Sequence, residues 1–142
     1  MKTITNPARK SKIPSAFNLF DTVPEDLLQF GHGQQFDARK AASFLSLKNA
    51  DVGRISSVAP KSVRYDQNMP EAVKTKLEEI AVTVNLVAKQ FDGDPHKTVT
   101  WFKASNPLLG DVSPRDMIRL GRYDQLRRFI IHAMVEQTQA KW

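Results

Sequence analysis

The sequence has no cysteine among its 142 residues, which excludes disulfide bonds and thiolate metal ligands. No stretch approaches the roughly 20 consecutive apolar residues that a helix needs to cross a bilayer. The first residues also lack the apolar core of a secretory signal. We therefore expect a protein that acts in the cytoplasm and folds as one domain or as two very small ones.

Residue groupings typical of enzymes are missing as well. None of the histidines (His32, His96 and His132) has a second histidine four residues away, so no metal-ligand spacing exists. Gly31-His32-Gly33 lacks the third glycine and the preceding strand of a dinucleotide-binding loop. Ser113 lies in no nucleophile elbow and suits a helix cap instead. We expect no catalytic residue, no metal and no cofactor.

Positive charge is in excess, with a net charge of +6. Residues 1–20 carry four cations and no acid, residues 51–76 carry five cations and three acids, and residues 111–142 carry six cations and four acids. Clusters of this kind suit contacts with phosphate groups. Solvated faces of surface helices would give the same counts, so charge alone leaves both interpretations open.

Helix-start signals recur along the chain, whereas strand patterns are nearly absent. Thr22 and Ser113 each precede an acid by three residues, and Asp94 stands directly before a proline. Helices are expected from Thr22 to about 31–33, after Asp37, over 52–57, 61–66, 77–91, 95–103 and 114–120 (closed by Gly121), and around Leu126–Met134. The apolar residues of 77–91 recur at spacings of three and four, which predicts a helix through the core. The fold class predicted is all-α.

Residues 50–65 fit a helix-turn-helix motif. Gly53 would let two helices approach closely, and Pro60 is tolerated in the first turn of the second helix. The residues expected to project towards DNA are Lys61, Ser62, Arg64 and Tyr65. Arginine can read guanine and the others can hold phosphates. Ser57 stands where such turns commonly carry glycine, and a plain helix pair with solvated basic residues also fits.

The most specific pattern lies in residues 97–121. Asn106-Pro107 predicts a turn, with Leu108 and Leu109 anchoring it in the core and Gly110 in a conformation closed to other residues. Trp101 is expected to pack over this turn. Packing explains each of these residues, yet a rigid turn packed under a tryptophan is also a surface that partners use.

This segment resembles the toxin-binding domain of the Xre/MbcA/ParS antitoxin family, which reads approximately W-x(3–4)-N-P-x-L-G-x(3)-P-x-x-(M/L)-(I/L). The matching residues are Trp101, Asn106, Pro107, Leu109, Gly110, Pro114, Met117 and Ile118. The resemblance extends over residues 36–135. It implies an Xre-like helix-turn-helix region, joined by a long helix to a small helical toxin-binding domain. With a basic arm at 1–20, we expect the two units at 21–70 and 71–142.

The resemblance implies the antitoxin of a type II toxin–antitoxin system, without enzymatic activity of its own. It would bind a RES-domain toxin that consumes NAD, cover the NAD pocket, and repress its own operon by binding operator DNA as a homodimer. A stand-alone transcriptional regulator whose C-terminal half only dimerises is an alternative. A further alternative is an interaction module whose helix-turn-helix serves packing. A RES-domain reading frame beside the gene would favour the antitoxin.

The chain ends in a polar segment with an aromatic last residue, Trp142. An NAD pocket accepts flat rings and phosphates, so an aromatic ring or a cation at its edge would help to block it. Packing of Trp142 on its own core is the alternative. The toxin-facing residues expected are Trp101, Asn106, Pro107, Arg119, Gly121, Arg122, Tyr123, Lys141 and Trp142.

Overall fold

The structure is a computed structural model that describes residues 26–32 and 35–136. The arm at 1–20, the start signal at Thr22, and Lys141 and Trp142 lie outside these residues. The elements are β1 (Gly31–His32), β2 (Gln35–Phe36), α1 (Ala38–Phe44), α2 (Asn49–Ser56), α3 (Glu71–Gln90), α4 (Pro95–Lys103), α5 (Pro114–Arg119) and α6 (Tyr123–Glu136), with 3-10 turns at Pro60–Ser62 and Pro107–Leu109. The all-α prediction is confirmed. None of these helices is both long and apolar enough to cross a membrane.

Helix α3 forms the centre of the molecule, as its apolar spacing predicts. Its buried residues are Val73, Leu77, Ile80, Ala81, Thr83, Val84, Asn85, Leu86, Val87 and Ala88. Helices α1, α2, α4 and α6 all pack against it. Asp92 and Gly93, with φ of 56° and 79°, turn the chain out of the helix. Both halves of the chain therefore contribute to one cluster of buried apolar side chains.

A helix is expected to run from Thr22 to about 31–33. The prediction is wrong for residues 26–30, which the structure describes as a turn before β1. The carboxylate of Asp26 accepts the backbone N–H groups of Phe30 (3.0 Å) and Gly31 (2.9 Å). A short polar side chain that binds nearby backbone groups competes with a helix in this way. The buried Asn85 of α3 accepts the N–H of Leu28 at 3.1 Å and donates to Asp26 at 3.1 Å. These bonds attach the turn to the central helix.

The close approach expected at Gly53 is present in α2. A Cβ atom there would lie 2.7 Å from the carbonyl oxygen of Val58 and 3.2 Å from the nitrogen of Pro60. Ser57 ends α2 with a left-handed φ of 60°, in the position where glycine is common. Only a residue without a side chain fits at Gly53, so the chain can fold back directly over α2.

The prediction of a helix at 61–66, as the second helix of the motif, is wrong. The chain makes one 3-10 turn at Pro60–Ser62 and is extended at Val63. Asp66 accepts the guanidinium of Arg64 at 2.8 Å and the N–H of Asn68 at 2.9 Å. Val63 is buried at 7% exposure, and β-branched residues favour helices weakly. Local side-chain bonds and the burial of one valine therefore outweigh helix propagation here.

A buried carboxylate joins α2 to α5. Asp51 is 3% exposed. Its oxygens accept the N–H of Lys48 at 3.0 Å and the guanidinium groups of Arg54 at 3.2 Å and Arg119 at 3.1 Å. Burial raises the pKa of Asp51, but these three donors outweigh it and lower the pKa below its ordinary value. We call Asp51, Arg54, Arg119 and Asp116, which also binds Arg119 (2.8 Å), the ionic junction.

Replacing Asp51 with Asn should reduce the free energy of unfolding at pH 7 by about 1.5–3 kcal/mol, the range for hydrogen bonds to charged groups. Because the folded-state pKa of Asp51 is lowered, its stabilisation is complete above the unfolded pKa of about 3.9 and is lost as pH falls through the folded value. Urea titrations from pH 7 to pH 3 should show the two proteins converging. Asp66→Asn, which alters an exposed pair, should lose less at pH 7. Equal stability of Asp51→Asn and wild type at pH 7 would contradict this role.

Glu78 on α3 is half-buried, and one of its carboxylate oxygens is fully covered. Among the described residues, Oε2 of Glu78 has no hydrogen-bond partner. Burial raises the pKa of Glu78 to about 7, with Glu71 and Glu79 adding to the rise and Lys74 opposing it. The ionised form of Glu78 is therefore less favourable in the folded chain than in the unfolded chain.

Glu78→Gln should raise the melting temperature at pH 8 and leave it nearly unchanged at pH 4. The reason is that stability falls as pH rises from the unfolded pKa of about 4.3 to the folded value, and Gln removes that loss. Thermal unfolding at the two pH values measures it. Asp124→Asn, which alters an exposed carboxylate of α6 that does not act on the pKa of Glu78, is the control and should show no such dependence. A melting temperature for Glu78→Gln below that of wild type at pH 8 would show that the carboxylate is compensated.

Candidate protein-interaction surface

The turn expected at Asn106-Pro107 is present and closely bonded. The side chain of Asn106 accepts the N–H of Leu108 at 2.9 Å. Its backbone carbonyl accepts the N–H groups of Leu109 (2.9 Å) and Asp111 (3.0 Å). Gly110 has a φ of 77°, so the prediction that it takes a left-handed conformation is confirmed. The turn is rigid because one asparagine satisfies three backbone donors.

The two leucines of this turn differ in their surroundings. Leu109 is half-buried against the core, as expected, whereas Leu108 is 79% exposed and does not anchor the turn. The 3-10 turn directs only one of two successive side chains inwards, which explains the error. Trp101 is half-buried, with its ring 5.1 Å from that of Phe102 in an edge-to-face arrangement. Its expected packing over the turn stays a prediction.

The α5–α6 connection is a second rigid segment. Ser113 caps α5 by accepting the N–H of Asp116 at 3.0 Å. Gly121 follows α5 with a φ of 81°, and the N–H of Arg122 reaches back to the carbonyl of Met117 at 2.8 Å. This is the Schellman arrangement, so the expected helix cap at Gly121 is confirmed. Gly121 and Arg122 are exposed.

The prediction that Tyr123 lies on the surface is wrong for the free chain, because only 4% of this residue is exposed. Its hydroxyl donates to the carbonyl of Glu79 at 2.7 Å and accepts the hydroxyl proton of Thr83 at 2.7 Å. A carbonyl can only accept, and a tyrosine has one proton, so Thr83 must be the donor. Burial raises the pKa of Tyr123 to about 12, although the bond from Thr83 acts in the opposite direction. The residue attaches α6 to α3.

Arg119 belongs to the ionic junction. Hydrogen bonds to Asp116 and Asp51 raise the pKa of its guanidinium. Its side chain is 37% exposed, so part of it remains accessible. Arg122 is the exposed cation of the α5–α6 connection, and it forms no ion pair with another described residue. The structure thus brings Arg119, Gly121 and Arg122 together and directs only Arg122 fully outwards.

Arg115 is a positioning residue that sequence reasoning missed. Its guanidinium donates to the carbonyl of Leu45 and, at 2.7 Å, to the carbonyl of Ser46, directly after α1. Lys103 of α4 reaches the hydroxyl of Ser46 at 2.9 Å. These bonds fix α4 and α5, which flank the Asn106 turn, against the end of α1. A charged residue among other surface charges gives no signal in sequence that it performs this role.

The four residues expected at DNA lie together on one loop. Lys61 and Ser62 are exposed, and Arg64 is exposed while paired with Asp66. Tyr65 is half-buried, with the guanidinium of Arg39 4.9 Å from its ring centroid. The loop is not a helix that could lie along a major groove, and its contact with DNA stays a prediction. Within the described residues, no cluster of three or more histidines or acids could hold a metal ion.

No protein-family model and no curated protein matches this sequence. The chain is similar to a chain in the crystal structure of the M. tuberculosis MbcT-MbcA toxin-antitoxin complex, with 27% identity. The alignment covers 70% of this chain and 91% of that chain, with a TM-score of 0.47.

Proposed function

We propose that this chain is the antitoxin of a type II toxin–antitoxin system, which binds a RES-domain toxin and blocks its NAD pocket. The observation that carries the proposal is the Trp101–Ile118 motif, which resembles an antitoxin's toxin-binding domain. Its Pro114, Met117 and Ile118 are buried and support a rigid surface on which Pro107, Leu108, Gly121 and Arg122 are exposed. Asn106 and Gly121 preform its two turns. Pre-ordered surfaces bind partners with less loss of conformational entropy.

The exposed side chains of this surface are of two kinds. Leu108 and Leu120 are 79% and 58% exposed, and Arg122 is an exposed cation. We place Arg122 at the edge of the NAD pocket, where its guanidinium can pair with a carboxylate of the toxin. Lys141 and Trp142 remain part of the proposal as further contacts. Tyr123 and Arg119 support the surface from within.

Arg122→Ala should weaken binding to the RES-domain protein encoded beside the gene by about tenfold, equal to about 1.4 kcal/mol. The reason is the loss of a charge pair at the pocket's edge. Calorimetry gives the affinity, and NAD consumption by the toxin gives the inhibition. A variant lacking residues 137–142 tests the tail in the same assays.

Arg128→Ala, which removes an exposed arginine of α6, is the matched control and should bind as wild type does. If Arg122→Ala and the truncated variant both retain full affinity and inhibition, the proposed contact surface is wrong. If the wild-type chain does not bind the neighbouring toxin, the stand-alone regulator becomes the better interpretation.

Repression of the operon is the second part of the proposal, with the chain acting as a dimer in the toxin–antitoxin complex. The observation favouring it is that Lys61, Ser62 and Arg64 are exposed together on the loop after α2. Such a loop can hold phosphates through lysine and arginine without a recognition helix.

Lys61→Ala with Arg64→Ala should weaken operator binding and lower its dependence on salt concentration, by about one unit of slope for each phosphate that is no longer neutralised. Fluorescence anisotropy with operator DNA at several salt concentrations measures both. Lys97→Ala, an exposed cation of α4, is the control. Unchanged affinity in the double variant would exclude this loop. Absence of any salt-dependent binding by wild type would favour the interaction module, in which α2 and its loop serve packing.

A further inference from the structure

The apex of the Asn106 turn exposes apolar surface that the fold does not use. Leu108 is the most exposed of the large hydrophobic residues that the described part of the chain leaves uncovered, at 79% against 71% for Val135 and 58% for Leu120. Pro107 beside it is also exposed. The apolar contacts that hold the turn come from Leu109 and Val112, which pack against the core. Leu108 therefore contributes little to folding.

The backbone beneath Leu108 is held more firmly than an ordinary surface loop. The N–H of Asn106 donates to the carbonyl of Val112 at 3.2 Å, which closes the base of the turn. Asp111 follows Gly110 with a φ of 65°, so two successive residues are left-handed. Aspartate tolerates this conformation better than most residues, and the bond from its N–H to the carbonyl of Asn106 holds it there. A firmly held backbone and exposed apolar surface thus occur at the same turn.

We propose that Pro107 and Leu108 form an apolar anchor that enters an apolar pocket on the surface of the toxin. This inference rests on the proposed function. The exposed, polar Ser105 and Asp111 flank the apex, which matches an apolar contact surrounded by a polar rim. The fixed backbone presents the leucine in a single position, so little conformational entropy is lost on binding.

The pocket that receives this anchor is distinct from the NAD pocket. A site that binds phosphates and sugar hydroxyls is polar, and a leucine gains little there, whereas Arg122 can pair with an acidic residue at its edge. The anchor and Arg122 therefore have separable effects. The anchor contributes affinity, and the contact at the NAD pocket produces inhibition.

The test uses the purified full-length chain and the purified RES-domain protein encoded beside its gene. Leu108→Ser should weaken binding about 10- to 100-fold, while saturating amounts still inhibit NAD consumption fully. Leu108→Met conserves volume and apolar character, so its affinity should stay within about threefold of wild type. Val135→Ser, the matched control, should bind as wild type does. Thermal unfolding should show unchanged melting temperatures for both Leu108 variants.

The outcomes separate this inference from the proposed function. If wild type binds the toxin and Leu108→Ser binds equally well, the anchor is wrong while the antitoxin proposal stands. An equal loss of affinity in Val135→Ser also overturns the anchor, as does incomplete inhibition by Leu108→Ser at saturation. If wild type does not bind the toxin, the proposed function fails and the anchor fails with it.

Discussion

The burial of α3 is the constraint on which the rest of the structure depends. A helix buried on most of its circumference must be covered by several neighbours, and α1, α2, α4 and α6 cover it. Helix α5 buries Met117 and Ile118 in the same core, and polar contacts also hold it, through Arg119 to Asp51 and through Arg115 to the end of α1. The candidate surface is thus held in place by apolar packing and by these charged hydrogen bonds together.

The helices that the sequence predicts correctly share strong local signals. Asp37, Asp94 and Ser113 each cap a helix with a side-chain oxygen that accepts the N–H three residues later. Gly110 and Gly121 take the left-handed conformations expected of them. In each case the determining contact lies within a few residues, so the sequence alone reveals it.

The wrong predictions concern residues whose structure is determined by contacts distant in sequence or by competing local contacts. Tyr123 is a residue type that is common on surfaces, but its hydroxyl forms hydrogen bonds with Thr83 and Glu79 of α3, which lie far from it in the sequence. Residues 61–66 contain cations suited to a recognition helix, yet Asp66 and the buried Val63 favour a loop. For the candidate site, the two turns were predictable, whereas the exposure of Leu108 and the partners of Arg119 depend on tertiary packing that periodicity does not encode.

Asn85 shows how one polar group can specify an alignment. Its amide accepts from Leu28 and donates to Asp26, so both ends are used within an otherwise apolar helix face. A shift of the 26–30 segment by one residue would leave this amide buried without partners, at a cost of about 1–3 kcal/mol. Apolar contacts alone would tolerate such a shift with a smaller penalty. The asparagine therefore encodes uniqueness: of many similar ways to cover α3, one is selected.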